Sequence, residues 1–321
     1  MDLPLPPGDR YDGSGLSVGI EELHPRDQQS LAALYERLCL IHEQLGSAVR
    51  KVPAEAVDLS SSKALADFRY LVRTASSIGQ DPSYPIRVRQ VIHDIRGGSL
   101  LALTGSLDLL GNKLLSENEL TQLFCYARDH LKIIRNCFPG IDVAAAERDR
   151  SPHLHSMDLI RQKWSTERIS INGSSKRVRF ECSVDGAISN RCMEFAALDR
   201  VLYNLMNNAV QNGDGDSIGL TIFQANPGDS GLARFAVQNH VSPEREAALL
   251  SLTHDDTNRL FQGGLSQRGS GLGLQICAEF VRHAVGLDSL RVAVERQYIG
   301  ARIVDGSFVV WFHWPRVPAK S

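Results

Sequence analysis

The sequence lacks any apolar run approaching the roughly 20 residues that a membrane-spanning helix needs. Its first ten residues, Met-Asp-Leu-Pro-Leu-Pro-Pro-Gly-Asp-Arg, also lack the basic-then-apolar pattern of a secretory signal. Charge of one sign is not in excess, because 35 basic and 37 acidic side chains give a formal net charge of −2. That balance argues against a nucleic-acid-binding surface or an anionic-membrane anchor. We therefore expect a cytoplasmic protein with no membrane span and no nucleic-acid partner.

Cysteine motifs are missing as well, since no two of the six cysteines form a Cys-x-x-Cys pair. Most of them have apolar neighbours, which predicts buried, reduced thiols rather than a disulfide framework or a zinc site. His153-Leu-His155 contains the residues of half a metal site, but no cysteine or acidic cluster completes it. The six are Cys39, Cys125, Cys137, Cys182, Cys192 and Cys277.

What the sequence does contain is a long helical pattern around His93. Apolar or small residues recur alternately four and three apart, the spacing of a helix packed in a coiled-coil-like bundle. His93 lies one step off this seam, so its imidazole is predicted to be exposed. Asp94 follows directly and can keep one ring nitrogen protonated while the other attacks as a nucleophile. Taken alone, such a histidine is more often an ordinary surface side chain. The seam residues are Val88, Ile92, Ile95, Ser99, Ala102, Ser106 and Leu109.

A second helical pattern follows after a short turn at Gly111-Asn112-Lys113. Two antiparallel helices with facing seams make a hairpin, and two hairpins make a four-helix bundle. A lone hairpin would leave both seams in water, so we predict a homodimer through this bundle. The seam of the second helix consists of Leu120, Phe124, Ala127, Leu131, Ile134 and Phe138.

The residues before this hairpin are predicted to be helical too. Helices are expected at about 27–52, with leucines three or four apart, and at 61–78. Three roles fit this segment: it extends the dimer bundle, covers its end, or receives a signal from a partner protein.

The second half of the chain alternates between strand and helix patterns. Helices are predicted at 157–164, 195–211 and 274–285. Strands are predicted at 178–184, 218–224, 233–238, 290–295 and 308–314, with the second and third joined as a hairpin. Interleaved strands and helices on a mixed sheet indicate an α/β sandwich.

The helix at 195–211 has an unusual row of amide side chains. Arg200, Asn204, Asn208 and Gln211 line up opposite its apolar face, which consists of Phe195, Leu198, Leu202, Leu205 and Ala209. Amide oxygens can coordinate Mg²⁺, and amide NH₂ groups can donate to phosphate oxygens. The simpler alternative is a solvated polar face. Further along, Gly269-Ser-Gly271-Leu-Gly273 opens a helix, where glycines let the backbone approach a phosphate and the helix N-terminus supplies N–H donors.

Taken in this order, the His93 helix, the Asn-bearing helix and the Gly-rich turn resemble the H, N and G2 boxes of two-component sensor histidine kinases. The resemblance covers roughly residues 85–315. It implies an α+β multidomain protein, in which a helical-hairpin dimerisation bundle is followed by an α/β sandwich with the GHKL-type (Bergerat) ATP-binding fold. The expected segments are a disordered tail at 1–20, a helical segment at 21–80, the dimerisation and histidine phosphotransfer domain at 81–140, a linker at 141–155 and the catalytic ATP-binding domain at 156–317.

The resemblance also implies roles for individual residues. His93, with Asp94 beside it, is the catalytic phosphoacceptor, Asn208 is the Mg²⁺ ligand, and Asn204 helps to hold the triphosphate. Gln211 stands where relatives often have Lys or Arg. Arg268 takes the place of the basic lid residue near the γ-phosphate, next to Gly269, Gly271 and Gly273.

The place of the family's adenine-reading aspartate is taken by Asn239, whose amide oxygen accepts more weakly than a carboxylate. The two glycine positions after it are filled by Val241 and Pro243.

The sequence therefore predicts an enzyme, a histidine kinase with ATP and Mg²⁺ as cofactors and a response regulator receiver domain as partner. It would phosphorylate His93 and then transfer the phosphoryl group to an aspartate of that regulator. The alternative is a phosphotransfer protein or pseudokinase with a degenerate ATP site. A GHKL ATPase that drives conformational change fits the second half only, and leaves His93 and the bundle unexplained.

Overall fold

The computed structural model describes residues 16–51, 68–110, 117–225, 231–263, 265 and 271–317 of the chain. These form two compact units. The helical unit comprises Leu16–Arg148 and Ser170–Gly173, and the sheet unit comprises Asp149–Ile169 and the residues from 174 onward. The predicted α+β multidomain architecture is confirmed.

The helical unit is built from six α-helices among its described residues. Two short 3₁₀ turns, Ile20–Glu22 and Pro139–Ile141, flank the longer helices. Residues 1–15 of the predicted tail and part of the predicted helix at 61–78 lie outside the described residues, whereas Leu16 and Val18 are buried and the N–H of Val18 donates to the carbonyl of Cys137 at 2.9 Å. The helices are α1 (Pro25–Lys51), α2 (Phe68–Ser77), α3 (Ile86–Arg96), α4 (Gly98–Leu110), α5 (Glu117–Cys137) and α6 (Val143–Arg150).

The predicted single helix around His93 is divided in two at Gly97. Gly97 has φ −108° and ψ −126°, outside the helical region, and Gly98 has φ +53°. A positive φ is readily adopted only by glycine, so the Gly97-Gly98 pair makes this break possible. The last hydrogen bond of α3 runs from the N–H of Gly97 to the carbonyl of His93. His93 therefore lies in the final turn of α3, directly before the break.

The seams of the hairpin are buried within a single chain. Leu31, Leu34, Leu38, Ile41 and Leu45 of α1 are each at most 1% exposed, as their helical spacing predicted. The hairpin residues Val88, Ile92, Ile95, Ser99, Ala102, Leu120, Ala127, Leu131, Ile134 and Phe138 are at most 5% exposed. Ser106 and Phe124 of the seams are half-buried. The hairpin is not alone in this chain, because α1 and α2 pack against it. The homodimer itself stays a prediction.

The sheet unit contains a six-stranded mixed sheet in the order β2-β3-β5-β6-β8-β7 and a two-stranded antiparallel pair, β1-β4. Strands β3 and β5 are parallel, and β5-β6, β6-β8 and β8-β7 are antiparallel. The strands are β1 (Pro152–Ser156), β2 (Arg168–Ile171), β3 (Ser174–Cys182), β4 (Ala187–Arg191), β5 (Ser217–Gln224), β6 (Leu232–His240), β7 (Ile299–Val304) and β8 (Ser307–Pro315). The helices are α7 (Met157–Trp164), α8 (Cys192–Asn212), α9 (Pro243–Thr253), α10 (Gly273–Ala284) and α11 (Leu290–Glu295).

One predicted strand is wrong, and four strands were missed, namely β1, β2, β4 and β7. Residues 290–295 form helix α11, because the hydroxyl of Ser289 caps it by accepting from the N–H of Val292 at 3.3 Å. Strand β7 precedes the turn at Asp305-Gly306, where both residues have positive φ. Asp-Gly between two apolar runs is a strong hairpin signal, so the sequence did contain the information for β7.

The region expected to be a linker, 141–155, is largely structured. It contains α6 and most of β1, which pairs with β4 through partners such as His155 and Ser189. Of the six cysteines, all free, three are buried and three are only half-buried, namely Cys39, Cys182 and Cys192. Among the described residues, no helix combines the length and the apolar character that crossing a membrane requires.

Candidate functional site

His93 projects from the last turn of α3 with an acidic neighbour at one ring nitrogen. Its side chain is 28% exposed, so it is half-buried rather than exposed as predicted. Its Nδ1 lies 3.4 Å from Oδ1 of Asp94, whose side chain is 1% exposed. A carboxylate only accepts, so this contact favours the tautomer with the proton on Nδ1. The lone pair is then on Nε2, which is the arrangement a nucleophilic imidazole needs.

Sequence reasoning missed a second histidine, His130 of α5, which is completely buried near this site. Burial lowers the pKa of His130 to about 4, although the backbone of Ile95 and the charges of Asp94 and Asp129 act in the opposite direction. His130 is therefore neutral at pH 7. In the sequence His130 stands between the seam residues Ala127 and Leu131 of α5. Nothing in that spacing predicted a buried histidine beside the His93 helix.

Acidification should destabilise the helical unit through His130. The folded pKa of about 4 lies below the ordinary value of 6.5, so the unfolded chain binds more protons between these values. The contribution to stability is complete above pH 6.5 and is lost as the pH falls toward 4. We expect the free energy of unfolding to fall by about 2 kcal/mol between pH 7 and pH 5 from this residue.

Denaturant titrations of wild type and of His130→Leu at both pH values test this, because the variant should lose that part of the pH dependence. His24→Gln serves as the control, since the His24 side chain is 53% exposed. An unchanged pH dependence in His130→Leu would show that His130 is not the group responsible.

The exposure of the amide side chains on α8 increases along the helix, from Asn204 to Asn208 to Gln211. The predicted apolar face is buried, with Phe195, Leu198 and Leu202 at most 1% exposed. Asn204 is also buried, at 4% exposure. Asn208, one turn further, is half-buried, and Gln211 is exposed. A half-buried amide on a rigid helix is accessible to a ligand and still fixed in direction.

Arg200 does not belong to this row, contrary to the sequence-based prediction. It is 1% exposed, and its guanidinium lies over the ring of Phe280 on α10, 4.1 Å from the ring centre. This is a cation–π contact in a desolvated setting. The Sγ of Cys277 on α10 also lies 3.7 Å from the carbonyl of Val201. These contacts hold α10, the helix that follows the Gly-rich turn, against α8, the helix that bears the asparagines.

A buried ion pair holds α8 against α7. The Nζ of Lys163 on α7 donates to Oδ1 of Asp199 at 2.6 Å, and both side chains are 1% exposed. The ammonium group also lies 5.3 Å from the ring centre of Phe195 and 5.5 Å from that of Tyr203. A buried pair of this kind is costly to break, so α8 has a defined position on α7.

Asn239 lies near the end of β6, beside the end of α8. Phe235, Val237 and Asn239 alternate with less buried residues, so they share the covered face of the sheet. Gly213, the C-cap of α8, lies close to Asn239. If Gly213 had a Cβ, that atom would be only 3.0 Å from the Cβ of Asn239. Its Nδ2 donates to the carbonyl of His240 at 3.2 Å. In this orientation Oδ1 is the atom that can accept from an adenine amino group.

The residues that replace the family's glycines form a different loop after β6. Val241 is buried, and its N–H donates to the carbonyl of Gly306 at 2.9 Å. Pro243 is the first residue of α9, where its fixed φ is favourable, and Ser242 caps that helix by accepting from the N–H of Arg245. Neither Val241 nor Pro243 is among the described residues with positive φ, so neither position requires glycine.

This loop is bound to the one that follows α8. The Oδ2 of Asp214 accepts from the backbone N–H of Ser242 at 2.8 Å, and its Oδ1 accepts from Arg245 at 3.2 Å. The hydrogen bond from Ser242 is the main reason that the pKa of Asp214 is lowered. Together these contacts hold the surroundings of Asn239 in place.

The Gly-rich turn is described only in part. Gly271 has φ +66°, and Gly273 is the first residue of α10. Because α10 has twelve residues, its N-terminus offers unsatisfied N–H groups and a favourable dipole for an anion. Arg268 and Gly269 lie outside the described residues, so their roles stay predictions.

Residues 194–318 match the family described as "Histidine kinase-, DNA gyrase B-, and HSP90-like ATPase". This segment begins in α8 and includes Asn204, Asn208, Asn239 and the Gly-rich turn. This match confirms the predicted GHKL-type ATP-binding domain in the second half of the chain. No curated protein matches the sequence.

Solved histidine kinase structures are similar to the chain at low identity. The catalytic domain of histidine kinase ThkA is 18% identical, with 44% of this chain and 80% of that one covered and a TM-score of 0.28. The histidine kinase domain of a blue-light activated histidine kinase from Erythrobacter litoralis is 13% identical, with 88% and 94% covered and a TM-score of 0.29. ThkA in complex with response regulator protein TrrA is 14% identical, with 78% and 66% covered and a TM-score of 0.25. All three TM-scores are below 0.5.

Proposed function

We propose that this protein is a histidine kinase that transfers the γ-phosphoryl group of ATP to His93 and then to an aspartate on a response regulator receiver domain. The family match establishes the type of ATP-binding domain, and such a domain binds ATP, usually with Mg²⁺. The observation that most supports the proposal is that the same chain holds a half-buried histidine with a buried carboxylate at its Nδ1. A GHKL ATPase without phosphotransfer would have no use for that pair.

The chemistry at His93 follows from its tautomer. With the proton on Nδ1 facing Asp94, the lone pair on Nε2 attacks the γ-phosphorus. The N–P bond forms as the bond between this phosphorus and the β–γ bridging oxygen breaks, and ADP leaves. The positive charge that develops on the imidazole is stabilised by the Asp94 carboxylate. The acidic neighbour thus both orients the ring and lowers the energy of the charged product.

The residues of the sheet unit fit a nucleotide with a bound magnesium ion. Amide oxygens such as that of Asn208 are among the ligands Mg²⁺ accepts, and the ion would neutralise phosphate charge during transfer. The buried amide of Asn204 can donate to the phosphates, and the start of α10 supplies N–H groups for them. The Oδ1 of Asn239 accepts from the adenine amino group. Phosphoryl transfer depends mainly on such positioning and charge neutralisation.

Incubation of the protein with γ-labelled ATP tests the proposal directly. The label should enter the protein, survive alkali and be released by acid, since a phosphoramidate is acid-labile. Added receiver domain should then take up the label from the isolated, labelled protein. Absence of labelling at millimolar ATP, or an acid-stable product, would contradict the kinase assignment.

A second candidate, a phosphotransfer protein or pseudokinase, is favoured by one observation, namely the amide of Asn239 in place of a carboxylate. A neutral acceptor gives a weaker hydrogen bond to the adenine amino group, by roughly 1 kcal/mol. The altered loop by itself gives less support, since Val241 and Pro243 fit their own backbone conformations.

Replacing Asn239 with aspartate should separate these two candidates. We expect Asn239→Asp to bind ATP about fivefold more tightly than wild type and to label His93 faster, because the new acceptor is charged. Calorimetry with ATP and Mg²⁺ measures the affinities, and Asn239→Leu, which has no acceptor, is the control expected to bind more weakly than wild type. If neither wild type nor Asn239→Asp binds ATP at millimolar concentration, the phosphotransfer candidate replaces the kinase.

A further inference from the structure

The histidine pair His153-Leu-His155 has no part in the proposed function, and in the structure it lies beside a cysteine. His155 is on strand β1 and Cys192 is the first residue of helix α8, both within the sheet unit. The Sγ of Cys192 is 3.4 Å from Nε2 of His155. Within the described part of the chain, no group of three histidine, cysteine or acidic side chains could hold a metal ion. The two residues therefore form a thiol–imidazole contact.

The imidazole of His155 is held in one tautomer. Its Nδ1 lies 2.9 Å from the backbone carbonyl oxygen of His153. A carbonyl oxygen only accepts, so Nδ1 carries the proton and the lone pair is on Nε2, which faces the thiol. The residue is 3% exposed, and its ring is stacked on that of Phe195 with centres 4.5 Å apart. His155 is therefore a base of fixed direction that can accept the proton of Cys192.

Cys192 is half-buried, so a small reagent can reach it. It begins a helix of 21 residues, where backbone N–H groups and the helix dipole favour negative charge on sulfur. The carboxylate of Glu194 in the same turn acts in the opposite direction, although it accepts from the hydroxyl of Ser189 at 2.7 Å and from the N–H of Asn190 at 3.3 Å. A thiol beside a base that is itself oriented by a third group is the arrangement of an activated nucleophile.

We propose that Cys192 is a modification site, at which a peroxide oxidises the thiol to a sulfenic acid and His155 moves the proton. The sulfur attacks one oxygen of hydrogen peroxide, and the S–O bond forms as the O–O bond breaks. Nε2 of His155 takes the proton of the thiol and gives it to the leaving hydroxide, so the products are the sulfenic acid and water. The sulfur is oxidised by two electrons, and the peroxide is reduced by the same two.

A peroxide fits this pair better than a disulfide does. Hydroxide is a poor leaving group that needs a proton, and the protonated imidazole supplies one where the O–O bond breaks. The leaving group of a disulfide is a thiolate, which departs without a proton. The inference does not depend on the proposed function, since neither Cys192 nor His155 is assigned to the phosphoacceptor or to the nucleotide site.

The cysteines of the full-length protein can be compared within one sample. Hydrogen peroxide is added together with dimedone, which traps sulfenic acids, and tryptic peptides are quantified by mass spectrometry at a series of times. Trypsin cleaves after Arg179, Arg191 and Arg200, so Cys182 and Cys192 are in different peptides. The trap also separates oxidation of the thiol from oxidation of a methionine, which dimedone does not label.

We expect Cys192 to be trapped roughly tenfold or more faster than Cys39 and Cys182, the other two half-buried cysteines. Cys39 is a suitable reference because burial raises the pKa of its thiol. The thiol of Cys182 donates to the carbonyl of Val184 at 3.4 Å, a group that cannot take up its proton. Equal trapping rates at the three residues would overturn the inference.

His155→Gln and His153→Gln are a matched pair of variants. Glutamine at position 155 cannot take up the proton, so trapping at Cys192 should slow by roughly tenfold or more. Position 153 orients His155 through its backbone carbonyl, which glutamine keeps, so this variant should react like wild type. Fast trapping in a folded His155→Gln protein would overturn the role of His155. Thermal midpoints show whether that variant is folded, and if it is not, the comparison of cysteines in wild type decides.

Oxidised glutathione in place of hydrogen peroxide tests the class of reactant. Formation of the mixed disulfide at each cysteine is followed in the same peptides. We expect the advantage of Cys192 over Cys39 to be several-fold smaller than with peroxide, because the leaving thiolate needs no proton. A larger advantage with the disulfide than with peroxide would show that thiol–disulfide exchange is the reaction at this site, and would overturn the assignment to a peroxide.

Discussion

His93→Gln is expected to abolish incorporation of phosphoryl groups from ATP while nucleotide affinity changes by less than about twofold. The glutamine amide has no nucleophilic lone pair comparable to that of Nε2, so the acceptor is lost completely. His93 belongs to the helical unit, whereas the residues proposed to bind the nucleotide belong to the sheet unit. Labelling with γ-labelled ATP and calorimetry on the same preparation measure the two properties independently.

The matched control for this variant is His24→Gln, at a histidine on the same unit that is well exposed. It should be labelled like wild type. His93 is half-buried, so unfolding of the variant is excluded by comparing thermal midpoints, which should agree within a few degrees. Persistent acid-labile labelling of His93→Gln would show that another residue is the acceptor. It would contradict the assignment of His93 as the phosphoacceptor.

Asn208→Ala should have the second-largest effect, a loss of Mg²⁺-dependent nucleotide affinity of roughly 100-fold or more. The alanine removes the half-buried amide oxygen proposed to ligate the ion, and the phosphate contacts that the ion supports weaken with it. The fold should be retained, because the buried face of α8 is unchanged and alanine is a better helix former than asparagine. Nucleotide titrations at a series of Mg²⁺ concentrations measure the effect.

Two further substitutions test whether the loss of affinity comes from the amide oxygen of Asn208. Asn208→Asp keeps an oxygen ligand and should retain more of the Mg²⁺-dependent affinity than Asn208→Ala. Gln211→Ala alters the exposed end of the amide row and should have a smaller effect, since its side chain has no fixed surroundings. If Asn208→Ala binds nucleotide as well as wild type at every Mg²⁺ concentration, the row is only a solvated face.

Most elements of the fold could be predicted from local sequence patterns. Helix α7 has the predicted bounds, and the hairpin β5-β6 differs from prediction by a few residues at its ends. The errors occur where short patterns are ambiguous. The six residues of α11 alternate well enough for a strand, yet the cap at Ser289 makes them a helix. At Gly97-Gly98, the seam spacing predicted one continuous helix, and the structure shows a break, because Gly98 takes up a positive φ.

The sequence by itself predicted the residues of the candidate site, since His93, Asp94, Asn208 and Asn239 stand out by type, order and spacing. Tertiary structure alone decided the surroundings of these residues. It placed neutral His130 near the His93 helix and turned Arg200 inward onto Phe280. It also covered the hairpin seams with α1 and α2 of the same chain. The physical reason is that periodicity shows which face of a helix must be buried, whereas any apolar face of suitable shape can bury it. Which partner does so depends on contacts far apart in the sequence.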